Sequence, residues 1–262
     1  MSLVNLTIDE QRVATVCLNR GELHNAFNAE LIAELSRIFT DLDNNADVRV
    51  IVLTGAGKSF SAGADLNWMH SMVGASEADN RDDSLRLAAM FRAINTVSKP
   101  VIARVNGHAF GGGVGMLACA DMVIAVETAQ FGLSEVKLGL IPATIAPFVQ
   151  AKIGVSNMRC YAISGAGFDA HQAQAMGLVH HVVAADELDT AVAQQIKLCL
   201  QAGPIASAEC KQLIDRVSQL QSVDAEMVDA QTAAWIARLR VSAEGQDGLQ
   251  AFLNKQAPSW RQ

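Results

Sequence analysis

The sequence predicts an α/β domain with mainly parallel strands, and three observations carry that prediction. Short apolar runs alternate with segments of helical periodicity through the first half of the chain. Within that alternation, Pro100–Gly115 (PVIARVNGHAFGGGVG) reads as a buried strand at Val101–Val105, a turn at Asn106-Gly107, and a helix opened by Gly111–Gly113. Finally, 262 residues with 50% hydrophobic content suffice for one large core, or a core with a small appendage.

The elements follow in order. Leu3–Ile8 and Val13–Leu18 form two short strands flanking the polar turn Asp9–Arg12. Asn28 caps a helix that places Leu31, Leu35, Ile38 and Leu42 on one face. Val48–Thr54 is a buried strand ended by Gly55-Ala56-Gly57. Ser84–Val97 is a helix with Leu87, Phe91 and Ile94 on one side, stopped before Lys99-Pro100. The glycine-opened helix continues through Val114–Cys119, and Asp121–Val126 is the next strand. From Ile145 the pattern turns helical, at 145–153, 155–163 and 171–176. A last strand is expected at Val179–Val183 and an amphipathic helix at Leu188–Ala202, ended by Gly203-Pro204. Helices at Ala206–Leu220, Val223–Leu239 and Ala243–Asn254 complete the chain. This suggests a core over residues 1–198 and a C-terminal helical region over 199–262, either a second small domain or an oligomerisation arm.

Composition excludes several classes of function. Twenty Lys and Arg against 27 Asp and Glu give a net charge of −7, with a pI near 5.3 and mean hydropathy of +0.20. An acidic chain offers no broad nucleic-acid or membrane-surface footprint. The five cysteines contain no C-x-x-C pair, and the six histidines are scattered, so no zinc spacing is present and no metal site is expected. Unpaired buried thiols and the lack of a signal peptide or long apolar span point to a cytoplasmic protein.

Familiar nucleotide and hydrolase motifs fail on inspection. Gly57-Lys58-Ser59 would need a glycine at position 52 to form a phosphate loop, and Val52 stands there. A dinucleotide fingerprint begun at Gly111 would need a glycine at 116, where the chain has Met116. No G-x-S-x-G elbow exists. Two glycine segments remain. In Phe60–Met69, Gly63 permits a turn that displays the Ala64 N–H. In the glycine run, Gly112 opens a helix whose first N–H groups lack intrahelical partners. Each is either a tight turn or half of an anion-binding pocket. Glu135, in an otherwise apolar run, is either a satisfied structural carboxylate or a desolvated acid/base group.

Several segments, in order, resemble one family. They are Ser61-Ala-Gly-Ala-Asp65, Val105-Asn-Gly-His-Ala-Phe-Gly-Gly-Gly113, Ala120-Asp121, Phe131-Gly-Leu-Ser-Glu135 and Leu138-Gly-Leu-Ile-Pro142. Leu18-Asn-Arg20, Asn25-Ala-Phe-Asn28 and Ala173–Val179 fit as well. The chain is similar over nearly its whole length to the crotonase superfamily, the enoyl-coenzyme A hydratase/isomerase family. The resemblance implies a spiral of repeated ββα units with a C-terminal helical region that builds a homotrimer or a dimer of trimers. It implies a coenzyme A thioester as substrate and no metal or redox cofactor. It places an oxyanion hole at the N–H groups of Ala64 and Gly112 and acid/base work at Glu135. Leu23, His24, Ala26, Ala62, Asp65 and Leu66 fall where the family contacts the coenzyme, Gly111 and Gly115 fall among the substrate-binding positions, and Lys255 is a candidate for the coenzyme's phosphates.

The chain departs from the family at one point. Hydratases of this kind carry two catalytic glutamates; the second maps to Glu135 and the first to Gly115. Either Glu135 serves both steps, or another group compensates, or the reaction needs one base. Ala64–Met69, Gly111–Met116 and Leu140–Phe148 are similar to bacterial methylglutaconyl-coenzyme A hydratases of leucine breakdown and to carboxygeranoyl-coenzyme A hydratases of terpene breakdown, a subgroup that also has glycine at the first position. The expected function is hydration of an α,β-unsaturated, branched acyl thioester. The alternatives are double-bond isomerisation by Glu135 alone and a binding protein on the same fold.

Overall fold

A computed structural model describes residues 2–219 and 224–261. The chain opens with strands β1 (Val4–Ile8) and β2 (Val13–Leu18), paired antiparallel, and helix α1 (Ala29–Asn44). The Asn28 side chain accepts the Leu31 N–H and fixes where α1 starts, so Leu31, Leu35, Ile38 and Leu42 all reach the core.

Three ββα turns follow. The first is β3 (Val50–Gly55), β4 (Ser59–Ser61), the short α2 (Leu66–Ser71) and α3 (Glu77–Thr96). The second is β5 (Val101–Val105), β6 (His108–Phe110) and α4 (Gly112–Cys119). The third is β7 (Met122–Val126), β8 (Gln130–Gly132), a 3₁₀ turn at Glu135–Leu138 and α5 (Ala146–Ser164). The chain continues through β9 (Gly167–Asp169), α6 (Ala170–Ala175), β10 (His181–Val183) and α7 (Leu188–Gln201). It ends with α8 (Pro204–Gln219), α9 (Ala225–Arg240) and α10 (Ala243–Leu253).

The first strand of each turn joins a six-stranded sheet of order β1-β2-β3-β5-β7-β10, and the second joins a four-stranded sheet of order β4-β6-β8-β9. Pairing is parallel from β2 to β10 and from β4 to β8; β8 and β9 run antiparallel. Each turn therefore stacks on the one before, and the mainly parallel α/β spiral is the observed fold. The apolar runs of β3, β5 and β7 are buried because helices cover them, with α7 packed across all three.

The structure departs from the expected elements in two ways. The second strands β4, β6 and β8 were not expected individually, since three residues are too few for alternation to register. α3 starts seven residues before the expected Ser84, because Ser76 caps it and its early turns carry polar residues rather than an apolar stripe. The separate helices expected at 145–153 and 155–163 are both present within α5, divided at Gly154, whose φ of 73° and ψ of 163° are not helical. Leu220 and Val223, expected termini of two helices, lie outside the described residues.

The expected division after residue 198 falls inside α7. Beyond it, α8 is tied to the sheet by Lys211, whose Nζ lies 2.9 Å from Asp121 Oδ2. Its N-terminus donates the Ile205 and Ala206 N–H groups to Glu244 at the start of α10. No helix among the described residues is long and apolar enough to cross a membrane.

Candidate functional site

The spiral places three chain exits side by side. Ala64 follows β4, Gly112 follows β6 and Glu135 follows β8, and these strands are consecutive neighbours in one sheet. Neighbouring strands are about 4.8 Å apart, so equivalent positions in successive turns converge within reach of one small molecule. The Gly111 N–H donates to the Gly132 carbonyl at 2.9 Å and ties the second exit to the third.

The first exit is held by a clamp around Ala64. Phe27 donates its N–H to Gly63 O (2.8 Å) and accepts the Asp65 N–H (2.9 Å), while the Gly63 N–H donates to Ser61 Oγ (3.2 Å). The Ala64 N–H between them donates to no acceptor among the described residues. Gly63 is required here: its φ is 84°, and a Cβ would stand 2.7 Å from Phe110 O. The same Cβ would lie 3.5 Å from Gly112 N, which measures how closely the two glycine segments approach.

At the second exit the Gly112 N–H is in the first turn of α4 and is likewise without a partner among the described residues. Two N–H groups from separate turns of the spiral, one of them at a helix N-terminus with its positive potential, suit a developing oxyanion.

Glu135 supplies the carboxylate. A Cβ at Gly111 would stand 3.2 Å from Glu135 Oε1, so the carboxyl lies directly over the start of α4. Oε2 is buried with no hydrogen-bond partner among the described residues. Burial pushes the carboxyl above the usual glutamate range, and its own backbone N–H offsets this only in part. A carboxyl raised by desolvation, with one oxygen free, can take and return a proton.

The other expected site residues divide by location. His24 and Ala62 meet at an exposed rim, where the Ala62 N–H donates to His24 O at 2.8 Å; Leu23, next to His24 in the chain, and Leu66 are exposed as well. Ala26 and Asp65 face inward. Arg20 donates from Nη2 to Asp65 Oδ2 at 2.8 Å and from Nη1 to the Ala26 carbonyl. Asp65 Oδ1 accepts the Asn67 and Trp68 N–H groups, capping α2. The Asp65 carboxylate is thus fully engaged in positioning the loop that carries Ala64. Gly115 is buried one turn below Gly111, where a Cβ would meet Ile145 Cγ2 at 2.3 Å and Phe91 Cε1 at 3.0 Å. Lys255 follows α10, with φ 54°.

Residue reasoning did not single out the scaffold behind the rim. Asn25 is fully buried, donates to Ala56 O (2.9 Å) and Ser59 O (2.8 Å), and accepts the Arg20 N–H (3.0 Å). Ser61 donates to Asn25 O at 2.9 Å. The available signal was slight: Arg20 and Asn25 bracket Gly21-Glu-Leu-His24, a stretch with no helical or strand period.

Known proteins share this architecture along its full length. The sequence profile described as enoyl-CoA hydratase/isomerase matches residues 9–262. A mevalonyl-coenzyme A hydratase of Aspergillus fumigatus is 32% identical over 250 residues, covering 95% of this chain and 91% of its own. The crystal structure of an enoyl-CoA hydratase from Shewanella pealeana superposes with a TM-score of 0.94 at 38% identity, covering 99% of this chain and 96% of its own. That of an enoyl-CoA hydratase/isomerase from Marinobacter aquaeolei superposes with a TM-score of 0.91 at 33% identity, with 99% of each chain covered.

Proposed function

The chain belongs to the enoyl-CoA hydratase/isomerase family and is an enzyme of it, and from that premise we propose that it hydrates an α,β-unsaturated acyl-coenzyme A thioester with Glu135 as its acid/base group. The observation that carries the reading is the convergence of two unpartnered N–H groups, at Ala64 and Gly112, with a buried carboxylate that has one free oxygen. The thioester oxygen accepts both N–H groups. Glu135 takes a proton from water as the hydroxyl bonds to the β-carbon, and the π electrons move onto the thioester oxygen as an enolate. The protonated Glu135 then returns its proton to the α-carbon, so one water is added and the carboxylate is regenerated. Adding water across a double bond changes no overall oxidation level, so the chemistry asks for no electron carrier. Removing one oxyanion donor typically costs about 3 kcal/mol of barrier.

A branched substrate with a distal polar group, methylglutaconyl-coenzyme A or a related thioester of leucine or terpene breakdown, is the specific candidate. Its support is the similarity of Ala64–Met69, Gly111–Met116 and Leu140–Phe148 to hydratases of that kind, and one relative is named for the branched mevalonyl group. The coenzyme lies over the rim at Leu23, His24, Ala62 and Leu66 in this reading. The C-terminal region over 199–262 joins copies into a trimer or a pair of trimers, in the cytoplasm.

A second reading is favoured by the single carboxylate. An isomerase takes a proton from one carbon and returns it to another, with no water to position, and Glu135 alone suffices for that. Turnover in oxygen-18 water across a panel of conjugated and β,γ-unsaturated thioesters separates the two. Hydration of a conjugated thioester gives a product carrying the label, whereas double-bond migration without label uptake rejects the hydratase reading.

A further inference from the structure

The Gly111 and Gly115 positions share one face of α4, joined by the Gly115 N–H donating to Gly111 O at 3.2 Å. Over Gly111 lies the Glu135 carboxyl. Over Gly115, one turn further in, lies the branched side chain of Ile145, which is 2% exposed. Both come from one short segment: the Leu140 N–H returns to Glu135 O at 3.0 Å, and Ile145 caps α5, its carbonyl accepting the Phe148 and Val149 N–H groups. A Cβ at 115 would stand 2.3 Å from Ile145 Cγ2, 3.0 Å from Ile145 Cβ and 3.0 Å from the Phe91 ring, so neither a side chain nor a water fits between them. Phe91 packs in turn on Phe148, their ring centroids 6.2 Å apart. The pocket beside Gly115 is therefore closed by hydrocarbon.

We propose that Ile145 is a positioning residue of the reaction: by filling the space beside Gly115 it excludes water and any second ionisable group from the Gly115 end of this face and leaves the reacting water to the Gly111 end under Glu135, so that proton transfer passes through Glu135 alone. The proposal rests on the acid/base reading of Glu135. Among the described residues no charged group contributes to the Glu135 shift. Lys137, the other ionisable group on the Glu135 turn, lies along Gly165 at the end of α5, and burial and the residue's own N–H account for the Glu135 shift.

The test measures hydration of crotonyl-coenzyme A against pH for the parent, Ile145→Val and Ile145→Ala, each checked for native circular dichroism. Valine has a methyl for the Cγ2 position and leaves the acid limb of the rate profile in place. Alanine opens the space to water, moves that limb down by about half a pH unit or more, and lowers kcat about tenfold with little change in KM. A limb that stays put in Ile145→Ala, or moves equally in both variants, overturns the proposal. The second arm keeps the question open to decision even if the cavity variant fails to fold. Gly115→Ala alone loses activity, and Gly115→Ala/Ile145→Ala recovers at least about tenfold of that loss; no recovery overturns the steric pairing. Full activity in Glu135→Gln strikes the acid/base reading instead, while the recovery pattern reports on Ile145 alone.

Discussion

At Glu135, stability and chemistry pull in opposite directions. Its folded carboxyl is raised by burial and Oε2 has no partner among the described residues, so the protonated form is favoured more in the folded chain than in the unfolded one. A raised acid contributes stability below its unfolded value and loses it as pH rises through the folded value. Glu135→Gln is therefore expected to be more stable than the parent at neutral pH, with the gap closing under acid conditions, as thermal melts at a series of pH values would record. Asp65 behaves in the opposite sense. Burial alone would raise it, but the Arg20 guanidinium and the Trp68 and Asn67 N–H groups outweigh that and hold it below the usual range. Its stabilisation is present above the unfolded carboxylate value and is lost as pH falls through the lower folded one. Asp65→Ala leaves Arg20 buried and unpaired, and is expected to cost about 3 kcal/mol by chemical denaturation. Glu135 was visible in the sequence as a carboxylate among apolar residues. The inward commitment of Asp65 was not, because its partner Arg20 lies 45 positions away.

Among the secondary-structure elements, the β-to-helix exits matter most. Gly63→Ala combines a positive φ with a Cβ 2.7 Å from Phe110 O, so the loop must move and take the Ala64 N–H with it. The expected loss in kcat is about 10²-fold, the order seen when one oxyanion donor is removed, with the fold intact by circular dichroism. Asn28→Ala is the contrasting variant: it removes the cap of α1 and costs about 1 kcal/mol of stability with kcat nearly unchanged. The long strands and α1 were legible because their apolar periods run for five or more residues and, in α1, a capping residue marks the start. The three-residue strands were not, and with them went the stacking that aligns Ala64, Gly112 and Glu135. Residue reasoning could name the three positions as candidates but had no local signal for their convergence; only the family likeness supplied it. The same limit hid Ile145, whose meaning comes from a glycine thirty residues earlier.

Across the molecule, the C-terminal helices expose large apolar side chains, among them Ile214, Val241, Phe252 at 80% and Leu253 at 76%. Such a surface is costly in water unless a second copy covers it. If a second copy covers this face, Phe252→Asp/Leu253→Asp shifts the protein to a smaller species in light scattering after size exclusion, and an unchanged mass contradicts a subunit contact here. The helical character of this region was readable from its periodicity, but which faces remain open is a property of the packed chain. The proposed hydration reduces to a comparison of two proteins in one assay: incorporation of oxygen-18 from labelled water into the product of a conjugated enoyl-coenzyme A thioester, by the parent and by Glu135→Gln. Labelled hydroxyacyl product from the parent and a loss of at least about 10²-fold in the variant, with its fold retained, is the result expected. Label uptake undiminished by the substitution would contradict it.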